Sequence, residues 1–225
     1  MLDDVINGLY GLPGSGKTTV MTAAAVASLR GSRFLNIPPK PRVFSNVPIP
    51  GTYELTSDMI GCCDLSGSLL LIDEACQWFD SRSWKTFPKH VSDFFQTIRH
   101  EGSSVCMFYQ AFNDVDLRLR SLCQMHYLIS SLPFELTLIK PVQHKQDIYS
   151  YKPDDRYQYA PWYMWRVIYR PRYYHLFDSY LRYKDYDSPR LVLYPGENNL
   201  VKRPLLSLTK HAPESLQDAR RGAPR

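Results

Sequence analysis

Apolar positions cluster in short runs at Val5 to Tyr10, Arg42 to Val47, Leu69 to Ile72, Val105 to Tyr109 and His126 to Ile129. Short runs rich in Val, Ile, Leu, Phe and Tyr, bounded by Gly, Pro, Asn or Asp, predict strands buried on both faces. Two stretches between them have helical character. Lys17 to Arg30 is rich in alanine. In Val91 to Arg99 the apolar residues Val91, Phe94, Phe95 and Ile98 are spaced three, one and three apart, which puts them on one face of a helix. Alternation of such strands and helices over residues 1–148 predicts an α/β domain with a mainly parallel sheet and crossover helices.

From Tyr149 the pattern changes. Fifteen of the thirty aromatic residues of the chain lie between Tyr149 and Tyr194, interleaved with Arg156, Arg166, Arg170, Arg172, Arg182 and Arg190. Residues 149–196 therefore form a second, aromatic and basic extension, and residues 197–225 read as a polar basic tail. In the extension, rings and guanidinium groups suit base stacking and phosphate contact. They equally suit a protein or membrane-surface contact, or a subdomain packed over the sheet.

With 225 residues, 44% of them hydrophobic and 22% charged, the chain suits one main core and excludes wholesale disorder. No apolar run approaches the length of a membrane-spanning helix, and Met1-Leu2-Asp3-Asp4 does not begin a signal peptide, so a cytoplasmic protein is expected. Five cysteines without paired CxxC spacing point to neither a zinc site nor a disulfide framework. A net charge of +5 permits a nucleic-acid or acidic-membrane partner without requiring one.

The chemistry is concentrated in two motifs. Gly11-Leu12-Pro13-Gly14-Ser15-Gly16-Lys17-Thr18 satisfies the Walker A pattern GxxxxGK[ST], after an apolar strand and at the mouth of a helix. In this arrangement Gly11, Gly14, Ser15 and Gly16 offer backbone N–H groups to the phosphates of ATP, Lys17 reaches the outer phosphates, and the Thr18 hydroxyl can bind Mg²⁺. Leu69-Leu70-Leu71-Ile72-Asp73-Glu74 then brings two carboxylates to the end of a buried strand: Asp73 for the Mg²⁺ shell and Glu74 to orient and polarise an attacking water. An acid at position 74 favours hydrolysis over transfer to a kinase substrate.

The strand Arg42 to Val47 lies between the motifs in sequence. Its insertion between the phosphate-loop strand and the Asp73 strand would give the sheet order of the additional-strand, catalytic-glutamate P-loop NTPases. Gln110, directly after another strand, can sense the γ-phosphate or position water, or be plain surface polarity. Asn46 can hold the Glu74 carboxylate away from water, or cap the turn before Pro48.

The phosphate loop, Ser45-Asn46-Val47-Pro48, Ile72-Asp73-Glu74-Ala75, Arg99-His100-Glu101-Gly102, and Tyr109-Gln110 followed by Asp116 and Arg120 together resemble the N-terminal domain of the Zot-like proteins. These are phage assembly ATPases in the FtsK and HerA branch of P-loop motors, and the resemblance covers about residues 4 to 131. It implies a ring-forming, homo-oligomeric ATPase acting on DNA during virion morphogenesis, by genome packaging or filament extrusion, together with phage capsid or membrane assembly proteins. Such a protein would work in the host cytoplasm, peripherally at the inner membrane or on the virion. Filamentous-phage members continue into a membrane span, which this sequence lacks, so the expectation turns toward the packaging ATPases of membrane-containing icosahedral phages. A ring motor needs a cation that reaches the neighbour's γ-phosphate, and Arg99 and Arg120 are the candidates, each also readable as an ordinary helix-terminal or surface arginine. A nucleotide-dependent switch or adaptor and a nucleoside or nucleotide kinase are the competing functions.

Overall fold

A computed structural model describes residues 5–79, 89–98, 100–112, 115, 117–143 and 158–177. Among the described residues nine strands form one sheet: β1 (Ile6–Tyr10), β2 (Arg42–Ser45), β3 (Tyr53–Glu54), β4 (Ser68–Ile72), β5 (Ser104–Tyr109), β6 (Met125–Leu132), β7 (Leu136–Gln143), β8 (Gln158–Tyr159) and β9 (Arg166–Tyr169). Their order is β3-β2-β4-β5-β1-β6-β7-β8, with β9 also on β7. Pairing is parallel from β3 through to β6. It turns antiparallel at β6–β7 and stays so for β8 and β9 on β7.

Strand alternation explains the two-sided core. Ile6, Phe44, Leu70, Ile72, Val105, Met107 and Tyr109 face one way, and pack with Val91, Phe94 and Phe95 of α3 (Lys89–Thr97) and Leu119 of α4 (Leu117–Leu122). Leu9, Val43, Leu69, Leu71, Cys106 and Phe108 face the other way, against Val20, Met21, Ala24 and Ala25 of α1 (Lys17–Leu29). Alanines let α1 lie close to the sheet, so nearly every residue from Lys17 to Val26 is buried. Each large apolar side chain so removed from water contributes roughly 1.5–3 kcal/mol.

The inserted strand is not the one expected. It is β5, not the strand at Arg42 to Val47, that stands between β1 and β4; β2 lies on the far side of β4. The reason is composition. All six β5 residues are buried, so it can sit where both faces are covered. β2 has only Val43 and Phe44 as large apolar residues and begins with the half-buried Arg42, whose guanidinium bonds the Ser66 carbonyl. It is suited to a place nearer the sheet edge. The additional-strand fold class holds, with a different strand supplying the addition.

The last expected strand is longer than His126 to Ile129 and opens the antiparallel hairpin to β7. The helix expected over Val91 to Arg99 begins earlier, at Lys89, and ends at Thr97. Arg99, Tyr157 and the tail 197–225 lie outside the described residues. Of the aromatic extension, residues 158–177 are described. Trp162, Tyr163, Val167 and Tyr169 are exposed there, while Trp165 is half-buried, with its indole N–H on Ala160 O at 2.9 Å and Lys140 Nζ 5.0 Å from its ring.

Candidate active site

Parallel pairing brings four strand ends to one edge of the sheet. Tyr10 faces Tyr109, so Gly11 and Gln110 leave the sheet side by side, and Gly11 N–H donates to Tyr109 O at 3.2 Å. Ile72 faces Met107 and Ser45 faces Leu71, which brings Asp73 and Asn46 to the same edge.

The loop from Gly11 to Gly16 curls into the start of α1. Gly14 and Gly16 have φ of +76° and +97°, a left-handed backbone open to glycine at little cost. At Gly16 a Cβ would also collide with Thr137 Oγ1 of β7, so glycine is required there on two counts. Lys17 is buried and folds over the loop, Nζ donating to Gly11 O at 2.8 Å and to Leu12 O at 3.3 Å. The Ser15 hydroxyl is buried with no partner among the described residues. A hydroxyl without a partner among the described residues, a lysine folded onto loop carbonyls, and a backbone with glycine at its turning points suit a phosphate chain.

The metal-type pair predicted from sequence meets directly: Thr18 Oγ1 donates to Asp73 Oδ2 at 3.2 Å. Burial pushes the Asp73 carboxyl above its ordinary range, and the charge of Glu74 adds to this. The Glu74 N–H on Asp73 Oδ1 at 3.0 Å, the Thr18 hydroxyl and the charge of Lys17 oppose it. A hard cation is the natural complement of such a carboxylate and hydroxyl.

Glu74 sits at the turn into the short helix α2 (Ala75–Trp78) with φ 48° and ψ 48°. Its carboxylate is held by Gln110, whose Nε2 donates to Oε1 at 3.1 Å and Oε2 at 3.2 Å. Gln110 is exposed at the end of β5, and here it is the partner of the acid.

Asn46 does something else than expected. Neither the Glu74 carboxylate nor the turn before Pro48 is its partner: Nδ2 donates to Asp73 O at 2.8 Å, and Asp73 N–H donates to Oδ1 at 2.7 Å. The buried amide extends the β2–β4 ladder by one rung, while Ser45 Oγ serves the turn, accepting from Val47 N at 3.1 Å and donating to Val47 O at 2.7 Å. Arg120, on α4, lies over Phe112 with its guanidinium carbon 4.8 Å from the ring centroid; Phe112 in turn meets Tyr10, the residue before the phosphate loop, edge-on at 5.6 Å.

Sequence reasoning missed Thr137, Ser131 and Arg170. Thr137 Oγ1 donates to Ser15 O at 3.2 Å, and Arg170 donates to Gly14 O and to Ser131 Oγ. Arg170 is 156 positions from the loop residue it touches, and no local pattern announces such a contact.

A phosphate loop after β1, a carboxylate pair after β4 and a polar residue after an inserted β5 define a P-loop NTP hydrolase of the additional-strand, catalytic-glutamate type. Within that class the chain belongs to the Zot family: the family model described as Zonular occludens toxin (Zot) matches residues 6–146. None of the curated proteins compared matches the sequence. Among solved structures it is similar to the N-terminal domain of zonular occludens toxin from Neisseria meningitidis, at 22% identity over 61% of this chain and 83% of that one, with a TM-score of 0.45. It is also similar to the genome packaging NTPase B204 from Sulfolobus turreted icosahedral virus 2 in complex with ATP-gammaS, at 14% identity over 62% of this chain and 93% of that one, with a TM-score of 0.45.

Proposed function

We propose that this protein is an ATP-driven motor that acts on DNA during phage virion morphogenesis, in genome packaging or filament assembly. The observation that carries the hydrolytic part is the Glu74 carboxylate, aimed by its backbone and held by Gln110 beside the Asp73–Thr18 pair. Membership of the Zot family supports the assembly role and the FtsK and HerA kinship. Among the described residues no helix is long and apolar enough to cross a membrane. The motor would work as a homo-oligomeric ring in the host cytoplasm, at the inner membrane surface or on the virion, with phage capsid or membrane assembly proteins as partners.

In this reading the loop N–H groups of Gly14, Ser15 and Gly16 take the phosphates, and a bound triphosphate draws Lys17 from the Gly11 and Leu12 carbonyls. Thr18 and Asp73 would hold Mg²⁺, which supplies positive charge to the phosphate oxygens. Glu74 accepts the proton of the attacking water, and Gln110 sets where that carboxylate points. Arg99 and Arg120 are the candidates for the cation that reaches a neighbouring subunit's site.

Phosphate release in the absence of any phosphoacceptor, with and without DNA, tests the reading: steady turnover raised by DNA is expected. Glu74→Gln should bind ATP near-normally and turn over about 10²-fold more slowly, the scale of a lost general base. A Glu74→Gln protein with unchanged kcat, or turnover that needs an acceptor, would count against a catalytic-glutamate motor.

A further inference from the structure

Two carbonyls of the phosphate loop are held from outside by side chains that arrive late in the chain. Thr137 of β7 takes Ser15 O, and Arg170, the residue after β9, takes Gly14 O through Nη1 at 3.3 Å. The same guanidinium donates through Nη2 to Ser131 Oγ of β6 at 3.1 Å, and the Arg170 backbone N–H donates to Glu135 O, in the turn between β6 and β7, at 2.9 Å. One residue thus ties the loop, β6 and the β6–β7 turn to the end of β9.

Gly14 is where the loop most needs such a tether. It has a left-handed φ of +76°, and nothing lies within 4 Å of the place where a side chain would start, so packing does not hold it. In a phosphate loop the N–H groups face the anion when the carbonyls face outward. A carbonyl taken by a guanidinium on the outer side is kept in that sense. The planar fork of arginine can serve two acceptors at once, which an ammonium cannot do in the same geometry.

We propose that Arg170 is a positioning residue of the nucleotide site: by bridging Gly14 O and Ser131 Oγ it keeps the loop N–H groups turned toward the phosphates, and so makes nucleotide affinity depend on the seating of β9 against β7. This rests on the reading of the loop as a nucleotide site. Because Arg170 holds the loop and not one phosphate, its loss weakens diphosphate and triphosphate binding alike.

The test uses the full chain and measures Kd for Mg-ADP and Mg-ATPγS, with kcat and KM for ATP alongside. Arg170→Ala is expected to raise both Kd values by about tenfold, the scale of one charge-assisted hydrogen bond. KM should rise in proportion and kcat fall much less. Arg170→Lys should fall between wild type and Arg170→Ala, and Ser131→Ala should shift both Kd values the same way by less. A folded Arg170→Ala protein with wild-type Kd values and only a lower Tm would make the residue a stability contact and overturn the proposal. Weakening confined to ATPγS would overturn it too, by making the guanidinium a γ-phosphate contact. Should Arg170→Ala not fold, unchanged Kd values in Arg170→Lys and Ser131→Ala would overturn it equally. Wild type that binds nucleotide but does not hydrolyse it would sink the motor reading and leave this test standing; wild type that binds neither nucleotide would end both.

Discussion

Glu74 concentrates the residue-scale argument. A side chain with a Cβ in the left-handed region costs about 1–2 kcal/mol, and such strain persists where the surroundings over-determine it. Here the surroundings are the Asp73 carboxylate on the Glu74 N–H and the Gln110 amide on its side chain. Glu74→Gly should therefore raise stability by about 1 kcal/mol while lowering turnover, if the carboxylate acts as proposed. Thermal melts paired with phosphate release check both halves; a lower Tm would show that the conformation is relaxed and the strain argument wrong. The residue type at position 74 was legible in the sequence, and so were Lys17, Thr18 and Asp73. Its left-handed backbone was not, because the groups that hold it, the Asp73 carboxylate and the Gln110 amide, meet only where the ends of β4 and β5 come together.

Elements decide what the amide of Asn46 does. At the ends of β2 and β4 the backbone ladder runs out one residue before the carboxylates, and the Asn46 side chain supplies the next pair of hydrogen bonds. Its removal leaves a buried N–H and a buried carbonyl of Asp73 without partners, at about 1–3 kcal/mol for each group fully stranded. Asn46→Ala is therefore expected to destabilise the protein by about 2 kcal/mol and to lower basal hydrolysis, because the turn carrying Asp73 and Glu74 loses its anchor. Urea unfolding and basal ATPase rates are the measurements. A raised basal rate would restore the idea that Asn46 restrains Glu74. The expectation from sequence placed the amide at the right edge of the sheet but on the wrong partner, since one residue of register separates a backbone carbonyl from a side chain.

At the scale of the whole molecule, the two-sided core places ionisable groups where water does not reach. Burial pushes the Cys106 thiol well above its ordinary range, with the nearby Cys123 adding to it and a hydrogen bond with Asn7 opposing. Burial likewise raises the Tyr127 hydroxyl, with Cys106 adding to this and the charge of Arg166 opposing, and that hydroxyl donates to Asn36 Oδ1 at 3.0 Å. Above their ordinary pKa values the unfolded chain releases these protons while the folded chain keeps them, so the unfolded state binds fewer protons and stability falls as pH rises. Stability should thus hold up to about pH 9 and decline above it, and Cys106→Ala should make the decline shallower. Denaturant midpoints from pH 7 to 11 measure this. An equally steep decline in Cys106→Ala would assign the alkaline loss to other groups.

The sequence alone determined the phosphate loop, the strand ending in Asp73 and Glu74, the α/β class and the hydrolytic chemistry, because each is written in contiguous residues whose spacing matches a local backbone. Tertiary structure decided three things. It chose β5 for the place between β1 and β4, because lateral order in a sheet follows from which strand can be covered on both faces and not from chain order. It gave Glu74 to Gln110 and the Asp73 backbone to Asn46, because strand ends meet only after pairing sets their register. It brought Arg170 to Gly14, because β9 runs back antiparallel along β7 and ends opposite Leu136, at the start of β7, and a contact made across 156 positions depends on such long-range pairing.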